Sequence, residues 1–190
     1  MAPASTLHRL GPADGFLRVR TFREGVGRRI GHDLTLEATD WRATVATGAD
    51  AIPTAVTLEA DPASLRVTEG VGGARPLTGA DRETIRDNIV RHVLGRAAIE
   101  FRSRTVAGSS RELEVAGDLT LSGVTRPATL VFSLEAGRRA RGVLVIRQSD
   151  WGITPYRAFM GALKVRDAVE IAFDVVLPAA PLCASKRAAR

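Results

Sequence analysis

The sequence predicts an all-β fold, an antiparallel eight-stranded barrel carrying one amphipathic helix. Three observations lead there. Alternating runs recur at short spacing along most of the 190 residues, and only one stretch has a strong helical period. Runs such as TLVFSL and AFDVVL are apolar at both parities. One short helix cannot cover both faces of eight or nine strands, whereas a closed sheet removes its own edges, so a barrel outranks a sandwich.

Residues 1–14 are expected to be a disordered tail, and MAPASTLHRLGPADGF lacks the continuous apolar segment of a secretory signal. GFLRVRTF (15–22) alternates and opens the sheet. EGVGRRIG (24–31) is a Gly-interrupted turn. DLTLEATDWRATVAT (33–47) carries enough Leu, Thr, Trp and Val for one long strand, bent near Asp40. AVTLEAD (55–61) and SLRVTEG (64–70), joined by Asp61-Pro62, read as a meander, because proline opens a turn and cannot donate to a ladder.

The helix lies at about 79–94. Ile85, Ile89, Val90, Val93 and Leu94 share one face at 3.6 residues per turn, Thr78 and Asp81 have capping-box spacing, and Gly95 stands where a helix C′ residue belongs. A single apolar stripe places this helix on the surface of something, with His92 in solvent. AAIEFRSRTV (97–106), ELEVAGDLTLSG (112–123), PATLVFSLE (127–135), ARGVLVIRQS (140–149) and AVEIAFDVVL (168–177) then follow with no helix long enough to cross over. They must pair antiparallel. One domain therefore spans 15–177, and 178–190, with Lys186, Arg187 and Arg190, is expected to be a flexible basic tail.

Composition restricts function. A chain of this length with 45% hydrophobic residues can bury a real core. The charge of +6 comes from 25 Arg and 2 Lys; this ratio suits phosphate recognition but equally follows from codon bias. Arg18, Arg20, Arg23, Arg28 and Arg29 crowd one stretch, and Arg138, Arg139 and Arg141 mark a solvated hairpin tip. A basic rim could attract phosphate headgroups or nucleic acid. Nucleic acid is the poorer partner, since no aromatic residues interleave with the basic ones as stacking platforms and no known binding motif is present. Cys183 is the sole cysteine, so no internal disulfide forms. No window is apolar enough to span a membrane. A cytoplasmic protein is the expectation, with no cofactor and no metal.

Residues 117–135, GDLTLSGVTRPATLVFSLE, form an alternating pair hinged on a Gly, Thr and Pro segment. This stretch resembles the strand-turn-strand signature of the YceI-like family, lipocalin-like barrels associated with polyisoprenoid binding. QSDWGITPY (148–156) is similar to the family's Ser-Asp-aromatic-Gly segment, and VRDAVEIAFDV (165–175) to its closing strand. The helix before AIEFRSRTV sits where the family has its helical insertion. Ser122 stands where the family often has His, and Gln148 where it often has Arg. The resemblance implies a lipocalin-like β-barrel and an isoprenoid or fatty acyl lipid ligand, held as carrier or reservoir. It leaves open a transient contact with a membrane surface and pairing of two copies.

The residues themselves are compatible with that implication. Eight strands enclose room for one small ligand. Leu36, Leu58, Phe101, Leu119, Leu121, Leu130, Phe132, Val145, Ile171 and Phe173 are the inward candidates, on alternation that one register slip would invert. Burying about ten methylenes of a lipid there would contribute roughly 8 kcal/mol before ordering entropy is subtracted. Alternation alone does not separate a hollow barrel from one filled by its own side chains. Trp151, at a barrel end, is a plug with its Nε1–H on a nearby carbonyl or a gate over the mouth, and Trp41 is similarly ambiguous. The alternative function is a small-molecule enzyme using His32 and Asp33, although adjacent strand residues point oppositely and no catalytic motif accompanies them.

Overall fold

Alternation becomes ladder almost wherever the sequence carries it. The computed structural model describes residues 5–48, 50–109, 111–135 and 138–178. Along it lie β1 (Thr6–Leu10), β2 (Gly15–Thr21), β3 (Arg23–Glu24), β4 (His32–Ala38), β5 (Trp41–Thr47), β6 (Pro53–Ala60) and β7 (Leu65–Gly72). Helix α1 (Gly79–Asn88) follows, then β8 (Ile99–Ser109), β9 (Glu112–Leu121), β10 (Val124–Glu135), β11 (Arg139–Arg147), β12 (Arg157–Ala158), β13 (Leu163–Val165) and β14 (Ala168–Val176).

Eleven of these strands form one antiparallel sheet in the order β1-β5-β6-β8-β9-β10-β11-β14-β2-β4-β7, and β12, β13 and β3 form a small second sheet beside it. The class is the one expected, all-β with one helix and a curled, barrel-like sheet. The strand number is eleven instead of eight. Part of the difference is β1, which occupies residues 6–10 of the expected disordered tail: it pairs with β5 from Thr6↔Thr47 to Leu10↔Ala43. Two of its side chains explain why. Leu10 and His8 are buried, and the His8 ring meets the Thr47 hydroxyl at 3.1 Å.

The stretch 33–47 is two strands, not one bent strand. Thr39 and Asp40 break it, so that β4 pairs with β2 and β7 while β5 pairs with β1 and β6. Residues 55–70 likewise are no meander, since β6 and β7 are never neighbours. Both corrections have one cause. The 39–40 corner and the Asp61–Ser64 corner lock together: Asp61 N–H donates to the Asp40 carbonyl at 3.1 Å, and Thr39 donates to the Ser64 carbonyl from its N–H at 3.3 Å and its hydroxyl at 2.9 Å. Chain passes from one half of the sheet to the other at both corners, and Ala38, Trp41, Ala60 and Leu65 are buried beside them. Among the described residues no ladder joins β1 to β7, and it is the hydrogen bonds of these corners, with the apolar side chains beside them, that tie the two edges of the sheet.

The 117–135 hairpin turns at Ser122-Gly123, with φ of 50° and 77°, the pair of left-handed residues that a two-residue turn requires. Val124 to Pro127 are already in β10, where Pro127 faces Asp118. Helix α1 begins as its sequence indicates: Thr78 Oγ1 accepts the Asp81 N–H at 3.2 Å and Asp81 accepts the Thr78 N–H at 2.8 Å. Past Asn88 the helix widens into one π-type turn over Ile89–Val93, closed by Leu94 N–H on the Ile89 carbonyl at 2.8 Å. Gly95 then leaves with φ of 71°. Of the 178–190 segment only Pro178 is among the described residues, and Cys183 lies outside them.

Candidate functional site

Strand pleating sends every second side chain to one face, and in a curled sheet the concave faces converge. Here they converge on space. Leu17 and Val19 of β2, Leu36 and Ala38 of β4, Trp41, Ala43 and Val45 of β5, and Val56, Leu58 and Ala60 of β6 supply part of the wall. Phe101, Val115, Leu119, Leu121, Leu130, Phe132, Leu144, Ile146, Val169, Ile171, Phe173 and Val175 supply most of the rest. Together they enclose a cavity of about 240 Å³. A single water needs only about 10–15 Å³ of such space, so the barrel is hollow and not plugged by its own side chains.

The wall is almost wholly apolar. Its polar members are Thr21, Asp61 and Gln148. Asp61 accepts the Ala63 N–H at 2.8 Å, and the Gln148 amide donates to the Arg166 and Asp167 carbonyls at 3.0 and 3.4 Å. Phe132 and Phe173 meet edge-to-face, with centroids 5.6 Å apart. They can do so because Gly142 lies between: a Cβ there would sit 2.7 Å from Phe132 Cβ and 2.8 Å from the Phe173 ring.

Helix α1 and its π-type turn close one side. Ile89, Val93 and Leu94 line the cavity, and Ser122 in the β9–β10 turn donates its hydroxyl to the Leu94 carbonyl at 2.9 Å, fastening the helix end to the barrel. The apolar stripe of the helix is therefore part of the cavity wall. His92 on its other side is exposed.

Of the residues anticipated from alternation, Leu36, Leu58, Phe101, Leu119, Leu121, Leu130, Phe132, Ile171 and Phe173 line the cavity, and so does Trp41. Val145 does not. It is 59% exposed on the convex face, and its neighbours Leu144 and Ile146 point inward, because β11 pairs with β14 one parity away from the anticipated face. Trp151 does not line the cavity either. It is 4% exposed in a short turn after β11, and its Nε1–H donates to the Leu119 carbonyl at 2.9 Å, which makes it a plug. Ala43 and Val45 share a parity with Trp41, and Val56 with Leu58, so these three were legible from the chain, whereas Val19 is placed by its pairing with Ile171 and Leu36. Trp41 is 5% exposed within the wall, and among the described residues its Nε1–H is the one buried side-chain polar atom without a hydrogen-bond partner.

His32 and Asp33 are spent on structure and stand outside the cavity wall. His32 Nε2 meets the Arg75 carbonyl at 2.8 Å; Asp33 accepts the Arg23 N–H at 2.8 Å and faces its guanidinium at 3.6 Å. Much of the basic crowding is answered across strands: Arg18 by Glu37, Arg20 by Glu170, and Arg139 and Arg141 by Asp174. Among the described residues no cluster of His, Cys, Asp and Glu could hold a metal, and no helix is long and apolar enough to cross a membrane.

A family model described as "YceI-like domain" matches residues 26–177. Solved structures share the fold. BcnA of Burkholderia cenocepacia superposes with a TM-score of 0.61 at 16% identity, over 84% of this chain and 95% of that one. A polyisoprenoid binding domain from Saccharophagus degradans, implicated in plant cell wall breakdown, gives 0.56 at 12% identity, over 94% and 100%. A YceI protein of Campylobacter jejuni gives 0.55 at 14% identity, over 74% and 82%. No curated protein matches the sequence.

Proposed function

Given that this chain belongs to the YceI-like family, we propose that it binds a long apolar lipid, a polyisoprenoid before a fatty acyl chain, in the barrel cavity and serves as its carrier or reservoir. The observation that carries the proposal is the hollow, hydrocarbon-lined interior of about 240 Å³. An apolar wall gains by removing methyl and methylene groups from water, at about 0.8 kcal/mol for each CH₂, and offers nothing to a charged metabolite. The polyisoprenoid-binding domain with the same fold supports the choice of chain. An enzymatic reading has no support beyond His32 and Asp33, whose side chains are held by Arg75 and Arg23.

Solvent extraction of the purified protein with mass spectrometry, and titration of the lipid-free protein with a fluorescent isoprenoid, test this. Stoichiometric lipid or saturable uptake is expected. Ala43→Phe, which places a ring in the cavity, should abolish uptake with secondary structure intact. Neither native lipid nor uptake by the parent protein would overturn the proposal.

A further inference from the structure

One end of the molecule carries apolar side chains that the core does not use. Val26 is 93% exposed and Met160 107%, in two segments that the small second sheet brings together. The Gly27 N–H donates to the Ala162 carbonyl at 2.9 Å, and a Cβ on Gly25 would come within 2.7 Å of that same oxygen, so the 25–31 turn lies directly against the chain after Met160. Met160 itself has φ of 52° and is followed by Gly161 at 86°, a left-handed turn that holds an unbranched apolar side chain out in solvent. Ile30 is exposed on the neighbouring turn.

Cations surround these side chains. Arg28, Arg29 and Arg157 are exposed, Lys164 is half-buried, and among the described residues none of the four forms an ion pair. The carboxylates at this end are Glu24, opposite Lys164 in the ladder, and Asp33, already held by Arg23. On the barrel wall, by contrast, Arg18, Arg20, Arg42, Arg104, Arg139 and Arg141 are each matched by a carboxylate. The same end adjoins the cavity: Thr21, two residues before β3, lines it, as does Gln148, which is bonded to the Arg166 carbonyl just past β13.

We propose that the tip built from residues 25–31 and 157–164 docks onto an anionic lipid bilayer, with Val26 and Met160 entering the interface and Arg28, Arg29 and Arg157 meeting headgroup phosphates. Apolar side chains ringed by arginine and lysine suit the boundary between acyl chains and anionic headgroups. Docking in this orientation brings the Thr21 and Gln148 end of the cavity to the surface from which an apolar chain would be drawn. To that extent the inference rests on the lipid-carrier reading.

Co-sedimentation with vesicles separates the two. The protein should bind phosphatidylglycerol-containing vesicles at low salt, weaken as salt rises, and ignore pure phosphatidylcholine. The double variant Val26→Asp, Met160→Asn should bind at least tenfold more weakly, as should Arg28→Gln with Arg29→Gln, at about fivefold per charge removed. Asparagine is at ease at the left-handed position of Met160, and both sites are exposed, so folding should be unaffected. Uptake of a soluble isoprenoid by these variants should stay at the parent level. Replacing Arg102, exposed on the barrel wall, by Gln should leave vesicle binding unchanged. Tip variants that sediment like the parent, or a parent that ignores anionic vesicles or binds only membranes bearing protein, would overturn the docking proposal. Docking without lipid uptake would instead overturn the carrier reading alone.

Discussion

The two tryptophans illustrate how one residue type takes opposite positions in the same fold. Trp151 Nε1–H reaches the Leu119 carbonyl, whereas Trp41 is buried in the cavity wall with its N–H unmatched by any acceptor among the described residues. A desolvated donor without a partner costs about 1–3 kcal/mol, while a satisfied one contributes about 1 kcal/mol. Trp41→Phe should therefore leave stability unchanged or raise it, because the smaller ring merely enlarges an existing hollow. Trp151→Phe should lower stability by about 1–3 kcal/mol, since it removes a made bond and opens a void in packed surroundings. Urea denaturation of the two variants would show the difference. Equal losses would mean that the Trp41 N–H is satisfied in solution.

At the scale of single elements, alternation proved sound within strands and ambiguous between their faces. Phe101, Leu119, Leu121, Leu130 and Phe132 were legible as one wall, because β8, β9 and β10 form consecutive antiparallel pairs whose parities follow from one another. In VLVI, residues 143–146, both parities are apolar, and composition gives no preference for either face. The ladder with β14 decides it by turning Leu144 and Ile146 inward. Hence Leu144→Asp, which places a carboxylate in an apolar cavity, should destabilise by at least about 3 kcal/mol, and Val145→Asp by less than about 1 kcal/mol. Thermal unfolding of the pair reads out the register, and similar losses would contradict it. The helix shows the same division. Its cap was written in Thr78 and Asp81, but that its stripe walls a cavity depends on the π-type turn and on Ser122 reaching the Leu94 carbonyl.

Across the whole molecule, the wall is held from outside by cross-strand charge pairs and from within by apolar contact. Two carboxylates couple this arrangement to pH. Hydrogen bonds from Arg139 hold Asp174 below the usual carboxylate range, with Arg141 adding to the effect. The Ser149 hydroxyl and N–H do the same for Asp167, which ties the turn after β11 to the start of β14. Depressed folded-state values mean that the unfolded chain binds protons first as acid is added. The stabilisation is complete above the ordinary aspartate value of about 3.9 and is lost as pH falls through the lower folded-state values. Stability measured by denaturant should be flat from pH 7 to about 5 and fall below about 4. Asp174→Asn should be less stable at neutral pH and show a shallower acid slope; an unchanged slope would dissociate Asp174 from the acid limb.

The class of fold, most of its strands, the capped helix and one part of the cavity wall were legible from the chain alone, because pleat parity, helical period and capping chemistry act between residues close in sequence. The long-range packing settles that β1 belongs to the sheet, that β4 and β5 part at Thr39 and Asp40, that Val145 faces out and that side chains leave a cavity inside. Each of those outcomes depends on which distant segments come together: Thr6–Leu10 with Ala43–Thr47, the Asp40 corner with the Asp61 corner, and twelve strand and helix faces around one space whose volume no local pattern encodes.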